Sequence, residues 1–190
     1  DETRILTVHY TEGRGGSRIN KERIRHNAGN LTVDGCYDVW QSRQASAHYP
    51  VCSDGTIGQL VYDANTAWHA GNWQANVTSI GIEHADCSTD PYAVSDACLD
   101  SGAHLVAAVC VKYGLGRPEW GVNLFGHSDF ASTECPAELA VGGSQHDAYV
   151  ARAQAWYDSM TGTSTTTTTS TTDESEDSMQ FICNYNGQGQ

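Results

Sequence analysis

Two histidines and one cysteine have the residue types and positions of a metal site. His9 closes the β-branched run 4–10, His127 follows the short run 123–126, and Cys135 comes eight residues after His127. Two imidazoles and one thiolate can share a single Zn²⁺, and three protein ligands with an open fourth position are typical of catalytic zinc. The spacing leaves an alternative open, because a histidine at a strand end can equally be a hydrogen-bonded structural residue. Neither HExxH nor CxxC occurs in the chain.

The predicted secondary structure places these residues at strand ends. Strands are predicted where β-branched and apolar residues run together, and Asp54-Gly55 predicts the turn of a hairpin. Ser95 and Gly114 are signals for the beginning and the end of a helix. The mixture predicts an α/β or α+β domain around a central sheet. The predicted strands are 4–10, 47–52, 56–62, 79–85 and 123–126, and the predicted helices are 20–28, 95–113 and 145–160.

Composition limits the class of protein and divides the chain. The 190 residues suffice for one domain with an appendage, and no apolar run is long enough to span a membrane. The net charge of −13 argues against binding to nucleic acid or to anionic lipid, and we expect a monomer. We predict a catalytic domain at 1–160, a disordered Ser/Thr-rich acidic linker at 161–178, and the start of a truncated second module, or a disordered end, at 179–190.

The seven cysteines are an odd number, which suggests that at least one thiol has a role outside a disulfide. Cys98 and Cys110 fall in a helical pattern and are predicted to be small buried apolar residues. Cys36, Cys52 and Cys87 lie near turns, where disulfides could form. The sequence does not decide the redox state of these five residues or of Cys183.

Five motifs follow one another along the chain: LTVHYT at 6–11, ASAHY with SDGTI at 45–57, AWHAG at 67–71, SIGIE at 79–83, and GHSD with TECP at 126–136. Together they resemble the zinc-dependent N-acetylmuramoyl-L-alanine amidases, the family that includes peptidoglycan-recognition proteins and phage lysozyme-amidases. The resemblance implies a mixed sheet with helices on both sides, and one zinc ion held by His9, His127 and Cys135. It also implies hydrolysis of the amide between N-acetylmuramic acid and L-alanine in peptidoglycan.

The same resemblance suggests catalytic roles for three further residues. Glu83 looks like the general base, although a carboxylate at a strand end can also simply face water. Family members with a tyrosine base have it where this chain has Ala47, so this chain needs another base. Thr133 would donate a hydrogen bond to the oxyanion, and His69 would donate to substrate or oxyanion, unless it is a loop histidine bonded to backbone.

Aromatic and amide residues crowd the loop around His69 and are predicted to bind substrate. Trp68 and Trp73 can stack on sugar faces, and Asn72 and Asn76 can hydrogen-bond a peptide. Peptidoglycan is therefore the expected partner, and the expected place of action is outside the cytoplasm, after secretion or phage-mediated lysis. Alternatives are a module that binds peptidoglycan without cutting it, an endopeptidase acting on the stem peptide, and a zinc ion that only supports the fold.

Overall fold

The computed structural model describes residues 32–87 and 90–163, and the backbone of residues 5–10. The predicted helix at 20–28 and the segments 164–178 and 179–190 lie outside this part of the chain. Within the described residues, no helix combines the length and the apolar character that crossing a bilayer requires.

A four-stranded sheet forms the centre of the domain, in the strand order β2-β3-β1-β4. Every strand pairing in the described part is parallel, where a mixed sheet was expected. The predicted α/β fold class is confirmed. The predicted hairpin turn is present, but its second arm is not a strand of the sheet, and only Val51 and Ile57 form an antiparallel bridge. The second arm still follows the first, since the Gly58 N–H donates to the Pro50 carbonyl at 3.0 Å and the Leu60 N–H to the His48 carbonyl at 2.9 Å. The strands are β1 (Ile5–Tyr10), β2 (Tyr49–Val51), β3 (Ser79–His84) and β4 (Leu124–Gly126).

Four α-helices lie in the described part, and their ends follow local capping. Ser95 accepts a hydrogen bond from the Cys98 N–H, and Gly114 ends the same helix in the left-handed conformation, as predicted. Two helices were not predicted, and each begins at a side-chain cap, Thr32 in one case and Asn72 in the other. The helices are α1 (Val33–Gln41), α2 (Trp73–Thr78), α3 (Asp96–Tyr113) and α4 (His146–Thr161).

The main core lies between the sheet and the pair of helices α3 and α4. Ile80 and Ile82 of β3 are fully buried and pack in one apolar cluster with Val106 and Tyr149 of the two helices. The Tyr149 hydroxyl also meets His84 Nε2 at 3.0 Å, which satisfies two polar groups inside this core. The packing of β3 against α3 and α4 thus supports the ends of the strands.

No disulfide joins any two of the described cysteines. Cys98 and Cys110 are buried in the main core, which confirms their predicted role as apolar residues. Cys36 and Cys52 are also buried, while Cys87 is exposed, and no disulfide joins these three. Cys36, Cys52, Cys98 and Cys110 therefore contribute through packing rather than through cross-links.

Candidate active site

The sheet register brings three of the predicted residues to one edge. His9 of β1 lies opposite Glu83 of β3, and Val8 lies opposite Gly126 of β4, directly before His127. Because the carboxyl ends of parallel strands meet at one edge of a sheet, positions 9, 83 and 127 are neighbours there. This edge is where an open α/β sheet usually binds its ligand.

The loop after β4 turns back and carries Cys135 to the same edge. The Ser128 N–H donates to the Cys135 carbonyl at 2.8 Å, so Cys135 lies next to the residue that follows His127. Cys135 is buried, and its own N–H donates to Thr133 Oγ1 at 3.2 Å. The backbone thus gathers the positions of two imidazoles and one thiol, a set of donors that zinc prefers.

The side chain of His9 lies outside what the structure describes. Among the side chains that it does describe, no three His, Cys, Asp or Glu residues converge as metal ligands. The trio of His9, His127 and Cys135 is not covered by that observation, so its role as a zinc site stays a prediction supported by backbone placement.

Glu83 is partly exposed as a residue, but its Oε2 atom is shielded from solvent. Burial, and secondarily the charge of Asp86, raises the pKa of Glu83 to about 8. The alternative was that this carboxylate simply faces water. It does not fit the Oε2 atom, which is shielded from solvent. Glu83 lies on the same face of β3 as Gly81, since side chains alternate along a strand.

His69 is buried against that face, where its ring packs on Gly81. A methyl group at Gly81 would stand 2.5 Å from the His69 Cγ atom, so only glycine fits there. His69 Nε2 meets Ser79 Oγ at 3.3 Å, while the Ser79 hydroxyl donates to the Ala75 carbonyl at 2.6 Å. Since the hydroxyl hydrogen is used, Nε2 is the donor of this neutral ring.

The charge state of His69 follows from its surroundings. Burial, followed by the nearby His48 and His127, lowers the pKa of His69 to about 3. The neutral ring has one N–H, and Ser79 accepts it. The predicted donation from His69 to substrate or oxyanion stays a prediction. His69 stays beside the candidate ligands, but as a buried ring with its N–H directed into the protein.

His48, the residue before β2, supports the same region. Its Nδ1 accepts from the Gly81 N–H at 2.9 Å, and its Nε2 lies 3.1 Å from the Asn65 carbonyl. The ring is fully enclosed and its centroid lies 5.8 Å from that of His69. His48 therefore substitutes for a backbone acceptor beside β3, a structural role that its sequence context does not reveal.

The four predicted substrate-binding residues lie in or beside the loop between His69 and α2, and they are of two kinds. Two are exposed tryptophans, and two are asparagines whose side chains accept hydrogen bonds from backbone groups. Trp68 and Trp73 are exposed. Asn76 is buried, and its Oδ1 accepts from the N–H groups of His69 and Ala70 at 3.0 and 2.7 Å. Asn72 is exposed as a residue, but its Oδ1 caps α2 by accepting from the Ala75 N–H.

The fold is shared with known cell-wall enzymes. A mutant endolysin from Bacillus subtilis superposes with a TM-score of 0.54 at 21% identity, covering 80% of this chain and 86% of that one. The amidase AmiD from E. coli, in complex with anhydro-N-acetylmuramic acid-L-Ala-D-γ-Glu-L-Lys, gives a TM-score of 0.54 at 24% identity, covering 78% of this chain and 57% of that one.

A comparison of sequences then shows the family to which the chain belongs. A family model described as N-acetylmuramoyl-L-alanine amidase matches residues 1–138, and the chain belongs to this family. The N-acetylmuramoyl-L-alanine amidase A of Achromobacter lyticus is 40% identical over 75 residues, which are 39% of this chain. The match spans 41% of that relative's length.

Proposed function

We propose that this chain is a zinc-dependent amidase that hydrolyses the bond between N-acetylmuramic acid and L-alanine in peptidoglycan. The observation that carries the proposal is the meeting of positions 9, 83 and 127 at one sheet edge, with Cys135 returned beside them. Family membership supports the reaction, and the ligand of the E. coli relative supports the substrate class.

His9, His127 and Cys135 would hold one zinc ion. Their donor atoms suit zinc, and the buried position of Cys135 protects a thiolate from bulk solvent. When bound in such a site, zinc polarises the scissile carbonyl and lowers the pKa of a water molecule towards neutrality.

Glu83 and Thr133 would carry the proton transfer and part of the oxyanion stabilisation. Glu83 lies beside His9 in the sheet register, so its ionised form would accept a proton from the attacking water. Thr133 Oγ1 accepts from the Cys135 N–H, a bond that leaves the hydroxyl hydrogen available for the oxyanion. His69 would line the floor of the cleft as a neutral ring.

The loop beside His69 would bind substrate. Trp68 and Trp73 offer exposed aromatic faces, and Asn72 lies between them at the start of α2. Asn76 would act indirectly, because its amide oxygen holds the backbone of the loop. The partner is peptidoglycan, and the enzyme acts outside the cytoplasm as a monomeric catalytic domain.

Zymography on purified cell walls tests the metal and the base together. Clearing is expected without chelator, and it should disappear with chelator and return on addition of Zn²⁺. Cys135→Ser should lose both zinc and clearing, whereas Glu83→Ala should lose clearing and keep zinc. Cys87→Ser is the matched control, since this exposed thiol lies outside the site. Clearing that persists without metal would contradict the proposal.

Product analysis separates the amidase from its alternatives. An amidase releases a new N-terminal L-alanine and leaves the lactyl group on the muramic acid. Free amino groups further along the stem peptide would indicate an endopeptidase, and binding without products would indicate a recognition module. Full lysis by Glu83→Ala would point to zinc as a support for the fold alone.

A further inference from the structure

A packed contact joins the residue before His127 to the residue after Cys135. Gly126 is buried at the end of β4, and a methyl group there would stand 2.7 Å from Pro136 Cδ and 3.1 Å from Trp120 Cζ2. The backbone of Gly126 is extended, with φ −88° and ψ 160°, a conformation open to any residue. Glycine is therefore required at this position for space, because the backbone of β4 lies directly against the proline ring.

The proline ring is in turn tied to the indole that shares this contact. The ring of Trp120 meets the ring of His146 edge to face, with centroids 4.7 Å apart. His146 Nδ1 lies 2.9 Å from the Leu139 carbonyl oxygen, and the Leu139 N–H donates to the Pro136 carbonyl at 3.0 Å. The contacts thus form a closed chain that begins and ends at Pro136, and Gly126 packs against two of its members.

Two hydrogen bonds join the same segments of backbone. The Gly126 N–H donates to Asp129 Oδ2 at 2.7 Å, which fixes the turn that carries His127. The Ser128 N–H donates to the Cys135 carbonyl at 2.8 Å, which holds the Cys135 backbone beside that turn. These bonds and the glycine–proline contact together determine how far apart the two candidate ligands lie.

The size of the overlap shows how sensitive this arrangement is. Non-bonded carbon atoms prefer a separation of about 3.5–4.0 Å, so a methyl group on Gly126 has to displace Pro136 or β4 by about 1 Å. Zinc–ligand distances vary by only about 0.2 Å between sites. Groups that orient metal ligands commonly change metal affinity by about 10- to 100-fold when they are altered.

We propose that Gly126 and Pro136 are positioning residues of the metal site, whose contact sets the spacing of His127 and Cys135. The inference rests on the proposed function for the identity of the metal. It goes further by assigning the geometry of the site to a contact that includes none of the ligands.

Metal binding provides the first test. Gly126→Ala should weaken zinc affinity about 10- to 100-fold in competition with a chromophoric chelator. In the chain loaded with Co²⁺, the same variant should lose intensity in the thiolate-to-cobalt charge-transfer band.

Gly58→Ala is the matched control. A methyl group at Gly58 would overlap Val33 Cγ1, but Gly58 bonds to β2, at the edge of the sheet opposite β4. This variant should lower the melting temperature and leave zinc affinity unchanged. Unchanged zinc affinity in Gly126→Ala, or equal weakening in both variants, would overturn the proposal.

A double-mutant cycle identifies the contact that is responsible. Pro136→Ala removes the ring atoms that the added methyl group would meet. In a chain that already carries Pro136→Ala, adding Gly126→Ala should therefore weaken zinc binding by less than about twofold. Weakening by the same factor with and without the proline ring would show that this contact does not position the ligands.

The Ser128 amide separates this inference from the amidase proposal. In the metal-free chain, its hydrogen exchange should be at least about tenfold faster in Gly126→Ala than in the unmodified chain or in Gly58→Ala, because the bond to Cys135 is lost. A chain that shows this difference but binds no zinc would defeat the amidase proposal and retain the positioning contact. A Gly126→Ala chain with normal exchange, normal zinc affinity and normal clearing of cell walls would do the reverse.

Discussion

Single hydrogen bonds fix the protonation of the buried histidines beside the strand ends. His48 Nδ1 accepts a backbone N–H, and His69 Nε2 donates to Ser79, so each neutral ring is held in one tautomer. A buried neutral ring that cannot rotate keeps the neighbouring strand surface uncharged. Such residues support the site without being ligands or bases themselves.

Thr133 tests the contribution of one hydroxyl to the reaction. Replacing it with valine keeps the shape and removes the donor, and kcat should fall about 10²-fold. Thr133→Ser restores the hydroxyl and should restore most of the rate, as measured by release of N-terminal alanine from cell walls. Equal rates in the valine and serine variants would show that this hydroxyl does not stabilise the oxyanion.

Asp63 joins the segment after β2 to the end of α3. One carboxylate oxygen accepts from Tyr49 and Gln59, and the other accepts from Lys112 and Tyr113 at 2.7 and 2.6 Å. Burial by itself would raise the pKa of Asp63, but the hydrogen bonds from Lys112, Tyr113 and Tyr49 outweigh it, and the pKa lies below its ordinary value.

The sign of this shift predicts the response to acid. The pKa of Asp63 is lower in the folded chain than in the unfolded chain, so the ionised carboxylate stabilises the fold. This stabilisation is complete above the unfolded pKa of about 4 and is lost as the pH falls through the lower pKa of the folded chain. Asp63→Asn should lower the free energy of unfolding at pH 7 by about 1–3 kcal/mol. The free energy of unfolding of this variant should also fall less steeply as the pH is lowered. Asp38→Asn is the control, because Asp38 is exposed on α1. Denaturation curves should show that this variant loses stability in acid as the unmodified chain does. An effect equal to that of Asp63→Asn would contradict the prediction.

The short helix α2 acts as a clamp for the loop before it. Asn76 projects back from α2, and its amide oxygen accepts two backbone N–H groups that are otherwise buried. The Ser79 hydroxyl, at the junction with β3, links the same helix to His69. The element therefore positions the tryptophans on one side and the imidazole on the other.

Removing this clamp should cost stability through two unsatisfied donors. Asn76→Ala should lower the free energy of unfolding by about 2–4 kcal/mol, since each buried N–H loses its acceptor. Asn76→Asp keeps an acceptor oxygen at the same place and should lose much less. Chemical denaturation of the two variants provides the comparison, and equal losses would show that the two hydrogen bonds are not what stabilises the loop.

The sequence predicts some elements of the site better than others, for physical reasons. Polar residues that follow apolar runs mark strand ends, so His9 and His127 could be placed at strand ends before the register was known, whereas Glu83 was assigned to the site through the family resemblance. Helix α1 was missed because Asp34-Gly35 has the composition of a turn, while the cap at Thr32 allows the helix to continue through it.

The orientation of the side chains around the loop before α2 could not be predicted from the sequence in the same way. Asn76 and His69 have the residue types of ligand-binding groups, but their partners are backbone groups and Ser79, which only the folded loop brings close. Asn72, whose residue type favours the N-cap of a helix, is a sequence signal for the short helix α2 that holds this loop.

At the scale of the whole molecule, the part of the chain that the structure describes forms a buried apolar core ahead of the Ser/Thr-rich segment. The buried apolar residues of the described part lie between Cys36 and Ala153, and α4 ends at Thr161. Residues 164–190 hold Asp173, Glu174, Glu176 and Asp177 without Lys or Arg, so the remainder carries −13 + 4 = −9. The charge of the tail is thus added to an already acidic domain.

A chain ending at residue 163 should therefore keep the stability of the full chain. Its melting temperature in differential scanning calorimetry should differ by less than about 2 °C, because the buried apolar surface of the described core is retained. A decrease of more than about 5 °C would show that the final segment packs on the domain and that the proposed boundary is wrong.

X-ray absorption at the zinc edge of the zinc-loaded chain tests the central claim most directly. The predicted first shell is one sulfur, two imidazole nitrogens and one light atom from solvent, with one zinc ion per chain. Cys135→Ser should lose the sulfur contribution. A shell with two sulfurs, or with four protein ligands, would contradict a catalytic site formed by His9, His127 and Cys135.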